Sequence, residues 1–273
     1  MTHFSSSIRH SKIDTLVSEI RNKGYVVIPN LLDGNTTTTT RKEMEKVNID
    51  EINSKSQQEP GQIRSFGLTV KHPVFRSFIS HPLVVAVWQH YLGQDCYCSS
   101  FSSNTILPHQ GGMFWHVDHP YWTMKGEWPL CSLAGQTIWL LDDFNSDNGA
   151  TAIIPYSHLK NAPPSTIERE AKNSEQITIQ ANAGSAILFD ARLWHSTQPN
   201  LASVDRIALF CMYVRSFVIP MEAMIEQLHA LENPTELEIQ LMGGKQREPS
   251  RFFEAKYKNK SFGHTTDGLG NKI

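Results

Sequence analysis

Apolar side chains at Ile13, Leu16, Val17 and Ile20 fall on an i, i+3, i+4, i+7 stripe, so residues 13–23 predict a helix with one buried face. Gly24 ends it, and Tyr25-Val26-Val27-Ile28 predicts a short strand stopped by Pro29. Asp33-Gly34 marks a turn. The threonine run at 36–40 reads as a loop and helix entry, because threonine propagates a helix poorly. Residues 41–55 predict an exposed helix and residues 54–62 a polar loop. Two further helices begin at His72-Pro73 and His81-Pro82, the second over about 83–92 and closed by Gly93.

From Asp95 the texture changes. Alternating or β-branched runs at 96–106, 113–119, 136–141, 150–154, 176–180, 185–189 and 206–214 are separated by Gly, Pro, Asn and Asp. Their number and spacing predict a mainly β fold with flanking helices, built on an antiparallel jelly-roll core, the double-stranded β-helix of cupins. Helical periodicity returns over 221–231, and the chain from about Met242 is polar and weakly patterned, compatible with a tail or an ordered flap. The simplest organisation is one domain over 1–273: helical and strand support at 1–94, a jelly-roll core at 95–215, and a C-terminal helix and tail at 216–273.

Composition narrows the function classes. A chain of 273 residues can bury a full core, and a formal net charge of −2 offers no basic field for nucleic acid or an anionic membrane. The start lacks the apolar run of a signal peptide, and no stretch reaches the roughly 18 apolar residues of a membrane span, so a soluble, cytoplasmic protein is expected. Cys96, Cys98, Cys131 and Cys211 are too few for a disulfide scaffold and read as reduced structural residues. Oligomeric state is left open.

The strand at 113–119 carries the first chemistry. Side chains two apart on a strand share a face, so His116 and Asp118 project together while Val117 packs away. A second histidine would complete a 2-His-1-carboxylate facial triad, which leaves open positions on a ferrous ion for oxygen and a co-substrate. His158 and His195 are the candidates. His158 sits in a turn that suits a loop-fixing role, whereas His195 lies across the β-core and is followed by Arg206 on a strand whose Arg206, Ala208, Phe210 and Met212 share one face. A guanidinium facing into a barrel needs an anion, because an unpaired buried charge is costly. The distal carboxylate of a 2-oxo dicarboxylic acid chelating the iron would supply it, with Ala208 leaving room and Phe210 walling the chain. Singly, each residue has a plainer reading: Arg206 paired with Asp205 or a surface carboxylate, and His195 a satisfied core histidine. Jointly the set is far more specific.

At this point the sequence resembles the phytanoyl-CoA dioxygenase family of Fe(II)/2-oxoglutarate oxygenases, of bacterial small-molecule hydroxylase type. The carrying motifs are FWHVDHPYW at 114–122, WLLDDFNSDNGATAIIPYSH at 139–158, AGSAILFDARLWHSTQPN at 183–200, and Arg206, within a match from Gly24 to about Val214. The resemblance implies His116, Asp118 and His195 as iron ligands and as the catalytic centre, and Arg206, assisted by Thr197, on the distal carboxylate of 2-oxoglutarate. It further implies Asn104 and Gln136 beside the co-substrate and Trp122 on the substrate side; alternation puts Phe114 on the ligand-bearing face, and Trp139 and Arg192 are further substrate-side candidates, with core packing the plainer reading of Phe114 and Trp122 and solvation that of Arg192. Gln136 and Trp139 are three apart, so at most one of them faces the cavity unless a bulge intervenes. Tyr156 stands where the family has a glycine before Ser-His, which puts an aromatic near the pocket rim.

The implied reaction consumes O2 and 2-oxoglutarate, releases succinate and CO2, and hydroxylates a small metabolite or natural-product intermediate. Halogenation is disfavoured, since halogenases of related architecture lack the carboxylate ligand that Asp118 supplies. The competing reading is a cupin-like metal-dependent isomerase or ligand-binding module without oxygenase activity. The segment 122–129 and the regions after Pro220 are candidate lids.

Overall fold

A computed structural model gives the fold; it describes residues 2–54 and 60–244, with side chains from residue 11 onward. The tail beyond residue 244, where the sequence allowed either a tail or a flap, lies outside the described residues. The N-terminal helix α1 (Thr2–Lys23) runs into strand β1 (Tyr25–Ile28), then α2 (Gly34–Asn53), β2 (Gln62–Ser65), and the helices α3 (Leu68–Lys71), α4 (Pro73–Ile79) and α5 (Pro82–Leu92). The β-rich half comprises β3 (Tyr97–Ile106), β4 (Ala134–Leu140), β5 (Thr151–Ile153), β6 (Ile177–Thr178), β7 (Ala186–Asp190), β8 (His195–Thr197) and β9 (Arg206–Val214). The short helix α6 (Thr166–Glu170) interrupts it, and α7 (Met224–His229) and α8 (Glu236–Leu241) follow.

The strands form a six-stranded antiparallel sheet ordered β1-β7-β4-β9-β3-β2 and a three-stranded sheet ordered β6-β5-β8, the two walls of a jelly roll. One face of the large sheet is sealed by the helices: Trp88 of α5, Phe78 of α4, Trp139 of β4 and Leu188 of β7 belong to one buried apolar cluster. The opposite face looks across to the small sheet, with Ile138, Ile187, Phe189 and Ile153 in the cluster between. Residues one apart on β4 therefore go to opposite sides. Gly135 also has a packing reason: a Cβ there would lie 2.1 Å from Trp88, so the indole needs a glycine beneath it. All four cysteines are free, and Cys96, Cys98 and Cys211 are buried.

Three expectations change. The threonine run lies inside α2. Asp33 caps the helix, accepting from the Thr36 N–H at 2.9 Å, and the hydroxyls of Thr37, Thr38 and Thr40 donate to carbonyls four residues back at 3.0, 2.8 and 2.7 Å. A strong cap and the burial of Thr37 and Thr40 outweigh the weak propensity. The polar loop expected over 54–62, of which residues 55–59 lie outside the described residues, gives way at Gln62 to β2, an edge strand paired with β3 whose Arg and Gln hide the alternation.

The third change concerns residues 113–119, which form no regular strand. Met113 N–H donates to Thr197 O at 2.9 Å and His116 N–H to His195 O at 3.0 Å, so a step of three residues opposes a step of two, a bulge. Between them Trp115 N–H turns away to Arg169 O at 2.9 Å. The segment is an irregular fourth strand beside β8. Alternation still holds where it matters, over His116 to Asp118.

Candidate functional site

The small sheet assembles the metal-binding set. His195 opens β8, and its backbone pairs in both directions with that of His116, the return bond from His195 N–H to His116 O being 3.1 Å. That pairing brings together histidines far apart in sequence, with ring centroids 4.2 Å apart. His195 Nε2 lies 3.6 Å from Asp118 Oδ1, and one ligand atom from each of His116, Asp118 and His195 lies within 4.8 Å of the others. Asp118 is held by its own N–H on Ala191 O at 2.8 Å.

Both imidazoles are oriented the same way. His116 Nδ1 faces Phe114 O at 3.0 Å, and His195 Nδ1 faces Leu193 O at 2.9 Å. A carbonyl only accepts, so each Nδ1 carries the proton and each Nε2 keeps its lone pair. Burial, reinforced at His116 by the neighbouring His195, pushes both imidazoles down to about 4, so they are neutral at ordinary pH. Burial raises the Asp118 carboxyl, opposed by the charges of His116 and Arg64. The Gln136 amide approaches Asp118, with Nε2 at 3.5 Å from Oδ2. Two neutral imidazoles with free Nε2 lone pairs beside a desolvated carboxylate suit one divalent iron, which three protein ligands leave partly open.

A cavity of about 710 Å³ opens from this set toward solvent. Asn104 of β3, Gln136 of β4, Thr197 of β8 and Phe210 of β9 line it, and the Asn104 and Gln136 side-chain oxygens have no partner among the described residues. Arg206 lies behind the lining, on the same β9 face as Phe210 and 1 % exposed. Its guanidinium stacks over Phe144 at 4.6 Å and donates through Nη2 to Gly149 O, while Nε and Nη1 have no partner among the described residues. Asp205, the plainer partner for Arg206, is engaged by Arg41 at 3.4 Å instead. Burial brings the Arg206 guanidinium down to about 10, the response of a cation without a full counterion. The residues present therefore fit a bound dicarboxylate.

Phe114 and Trp122 stand at the mouth, about half exposed. Other expected residues lie elsewhere. Trp139 is fully buried on the helix side of β4, edge-on to Phe78, so of the pair only Gln136 reaches the cavity. Arg192 does not line this cavity: its Nη2 and Nε bind Asp190 at 2.7 and 3.0 Å, and its Nη1 binds Leu130 O and Asn161 Oδ1. Tyr156 adopts φ 66° in an exposed turn and does not line the cavity. His158 fixes that turn, its Nε2 on Arg21 O at 3.0 Å. Arg192→Ala leaves Asp190 buried without its cation and is expected to cost about 3–5 kcal/mol in urea denaturation, with no selective rise in substrate KM.

Sequence reasoning missed Arg64, Glu51 and Phe66 on the β2 side of the mouth, and Pro163, Pro164 and Arg169 opposite. None sits in a motif. Only the edge strand and the bond from Trp115 to the carbonyl of Arg169 bring them to the cavity.

Comparison with known proteins gives a family and a fold. The family model described as phytanoyl-CoA dioxygenase matches residues 20–208. The uncharacterized protein Mb1539 of Mycobacterium bovis is 25% identical over 238 residues, covering 84% of this chain and 84% of that protein. Ectoine dioxygenase of Stutzerimonas stutzeri is 25% identical over 228 residues, covering 72% and 75%. Among solved structures, the epimerase SnoN in complex with Fe3+, alpha ketoglutarate and nogalamycin RO superposes with a TM-score of 0.63 at 16% identity, covering 83% of this chain and 91% of that one. Its jelly-roll core matches the fold described above.

Proposed function

This chain belongs to the phytanoyl-CoA dioxygenase family and is a non-haem iron, 2-oxoglutarate-dependent dioxygenase, and on that premise we propose that it hydroxylates a small organic molecule. His116, Asp118 and His195 are assigned to iron, and Arg206 with Thr197 to the distal carboxylate of 2-oxoglutarate. Asn104 and Gln136 are assigned to the co-substrate's near end, and Phe114 and Trp122 to the substrate. The observation that carries this reading is Arg206: a buried guanidinium with two unpartnered N–H groups behind a cavity headed by two imidazoles and a carboxylate. A mere metal-binding cupin has no use for that cation.

When bound, iron and 2-oxoglutarate supply the oxidising chemistry, with consumption of O2 and release of succinate and CO2. The chain's own residues bind, orient and exclude water. Phe114 O and Leu193 O fix the two imidazole rings so that each presents Nε2. Asn104 and Gln136 bring amide N–H groups that can donate to the co-substrate's oxygens, while their own oxygens stay unpartnered among the described residues. Ile138, Phe210 and Met212 keep the inner wall apolar, and Trp122 with Met221 borders the opening. The intact carboxylate ligand Asp118 favours hydroxyl transfer over halogenation. We also propose that residues 1–273 act as one oxygenase domain, since helices before β3 and after β9 both join the cluster behind the large sheet.

The test is succinate formation by the full chain with Fe(II), 2-oxoglutarate and O2 against a panel of small metabolites, with mass detection of a product gaining one oxygen atom. An epimerised or desaturated product in place of the oxygenated one would overturn hydroxylation while leaving the dioxygenase standing. SnoN, a structural relative named as an epimerase, makes that comparison necessary.

A further inference from the structure

The cavity mouth carries a cation, Arg169, that no carboxylate among the described residues pairs with. Arg169 lies at the end of α6 with its backbone fixed: its N–H donates to Ser165 O at 2.9 Å and its carbonyl accepts from Trp115 N–H at 2.9 Å. The Trp115 indole N–H clamps the same loop through Ala171 O at 3.1 Å. From this anchored backbone the guanidinium lies over the Phe114 ring at 4.0 Å. Stacking of that kind occupies the face of the guanidinium and leaves its in-plane N–H donors pointing outward.

Those donors have no carboxylate among the described residues. Glu168 closes the capping box with Ser165 and faces Lys160, and Glu51, across the mouth, binds Lys71 at 2.8 Å and Ser65 at 2.7 Å. Arg64 lines the same cavity from the β2 side, and its charge is felt at His116 and Asp118. Arg64 and Arg169 thus both bring positive charge to a lining that also holds the Glu51 and Asp118 carboxylates. Trp122, Met221 and Pro164 add apolar surface beside it.

We propose that the substrate is an organic anion whose carboxylate or phosphate seats on Arg169, with its apolar carbon skeleton running past Phe114 toward His116 and Asp118. Phe114 neighbours both ends, its ring centroid 4.0 Å from the Arg169 guanidinium and 6.2 Å from the His116 ring, so the skeleton runs along that one ring. The proposal rests on the oxygenase reading above, and its test is chosen to separate the two.

The test uses the full chain loaded with 2-oxoglutarate and a non-turnover divalent metal, and measures binding by calorimetry. The probes are aryl- and alkyl-carboxylates and phosphate monoesters of graded length, each paired with its neutral amide or alcohol. At least one anion is expected to bind about tenfold more tightly than its neutral partner, with a preference that weakens at high salt. The carboxylate and phosphate arms identify the group recognised. Arg169→Gln should erase the preference, Arg169→Lys should retain part of it, and both should leave 2-oxoglutarate affinity unchanged. No anion preferred over its neutral partner, a preference that survives Arg169→Gln, or a loss of 2-oxoglutarate affinity in Arg169→Gln would each overturn the assignment. Failure of the wild-type chain to bind 2-oxoglutarate would instead strike the oxygenase reading and, with it, this one.

Discussion

Asp118→Asn is expected to abolish metal-dependent succinate formation while leaving the metal-free protein at least as stable as the wild type. The two effects have one cause. Burial disfavours the ionised Asp118 carboxylate, whose side-chain support is the distant Gln136 amide. An asparagine of the same shape removes the desolvated charge, and with it the strongest attraction for a divalent cation. Removing a group that merely orients a metal ligand already costs about 10–100-fold in affinity or activity, so loss of the anionic ligand should exceed that. Calorimetric titration with a divalent metal and thermal denaturation with and without it read the two signs separately. Wild-type melting should rise with metal, since the ion binds the folded site alone, and Asp118→Asn should show no rise.

His116→Ala and His195→Ala should be equally silent in succinate formation. Wild-type metal affinity has its own pH signature. Because burial holds both imidazoles near 4, their Nε2 lone pairs stay free as pH falls through the ordinary histidine range. Affinity set by solvent-like histidines would fall below about pH 6.5; here it should hold to about pH 5. The same depression makes the metal-free fold lose stability between 6.5 and 4, where the unfolded chain binds protons that the folded one refuses.

The legible part of this protein was the part written in local periodicity and in short-range pairs. Strand alternation placed His116 beside Asp118, and the side-by-side position survives although the surrounding strand is bulged. The three-residue offset between Gln136 and Trp139 correctly allowed only one of them into the cavity. Arg192 was illegible because its partner, Asp190, is two residues away across a turn, and nothing in the pattern says that the turn folds the guanidinium back rather than outward. Tyr156 was misplaced for a related reason: a left-handed turn residue points wherever the turn faces, which here is solvent. The mouth was least legible. Arg64 comes from an edge strand with a polar sequence, and Arg169 from a five-residue helix, so their meeting at one opening depends on tertiary contacts alone.

Arg206→Met should separate binding from stability more sharply still. The folded protein holds this guanidinium near 10, well below its ordinary value, a cost of about 3 kcal/mol at the usual 1.36 kcal/mol per unit. At pH 7 the group is charged in both the folded and unfolded chains, so the whole cost is present there. It would fall only as pH rose above about 10. Methionine fills a similar volume against Phe144 without the charge and gives up one bond, to Gly149 O. The co-substrate-free protein should therefore melt at the same temperature or higher. Affinity for 2-oxoglutarate should move the other way, by about 2–5 kcal/mol, or roughly 30- to several-thousand-fold, the range for removing one partner of a buried charge pair. Lysine at 206 should recover part of the affinity as a point charge, lacking the paired donors. A parallel fall in both quantities would mean that Arg206 is a structural residue, and an unchanged affinity would remove it from the co-substrate site. Stability gained with affinity lost is the outcome that only a guanidinium kept for an anionic ligand can give.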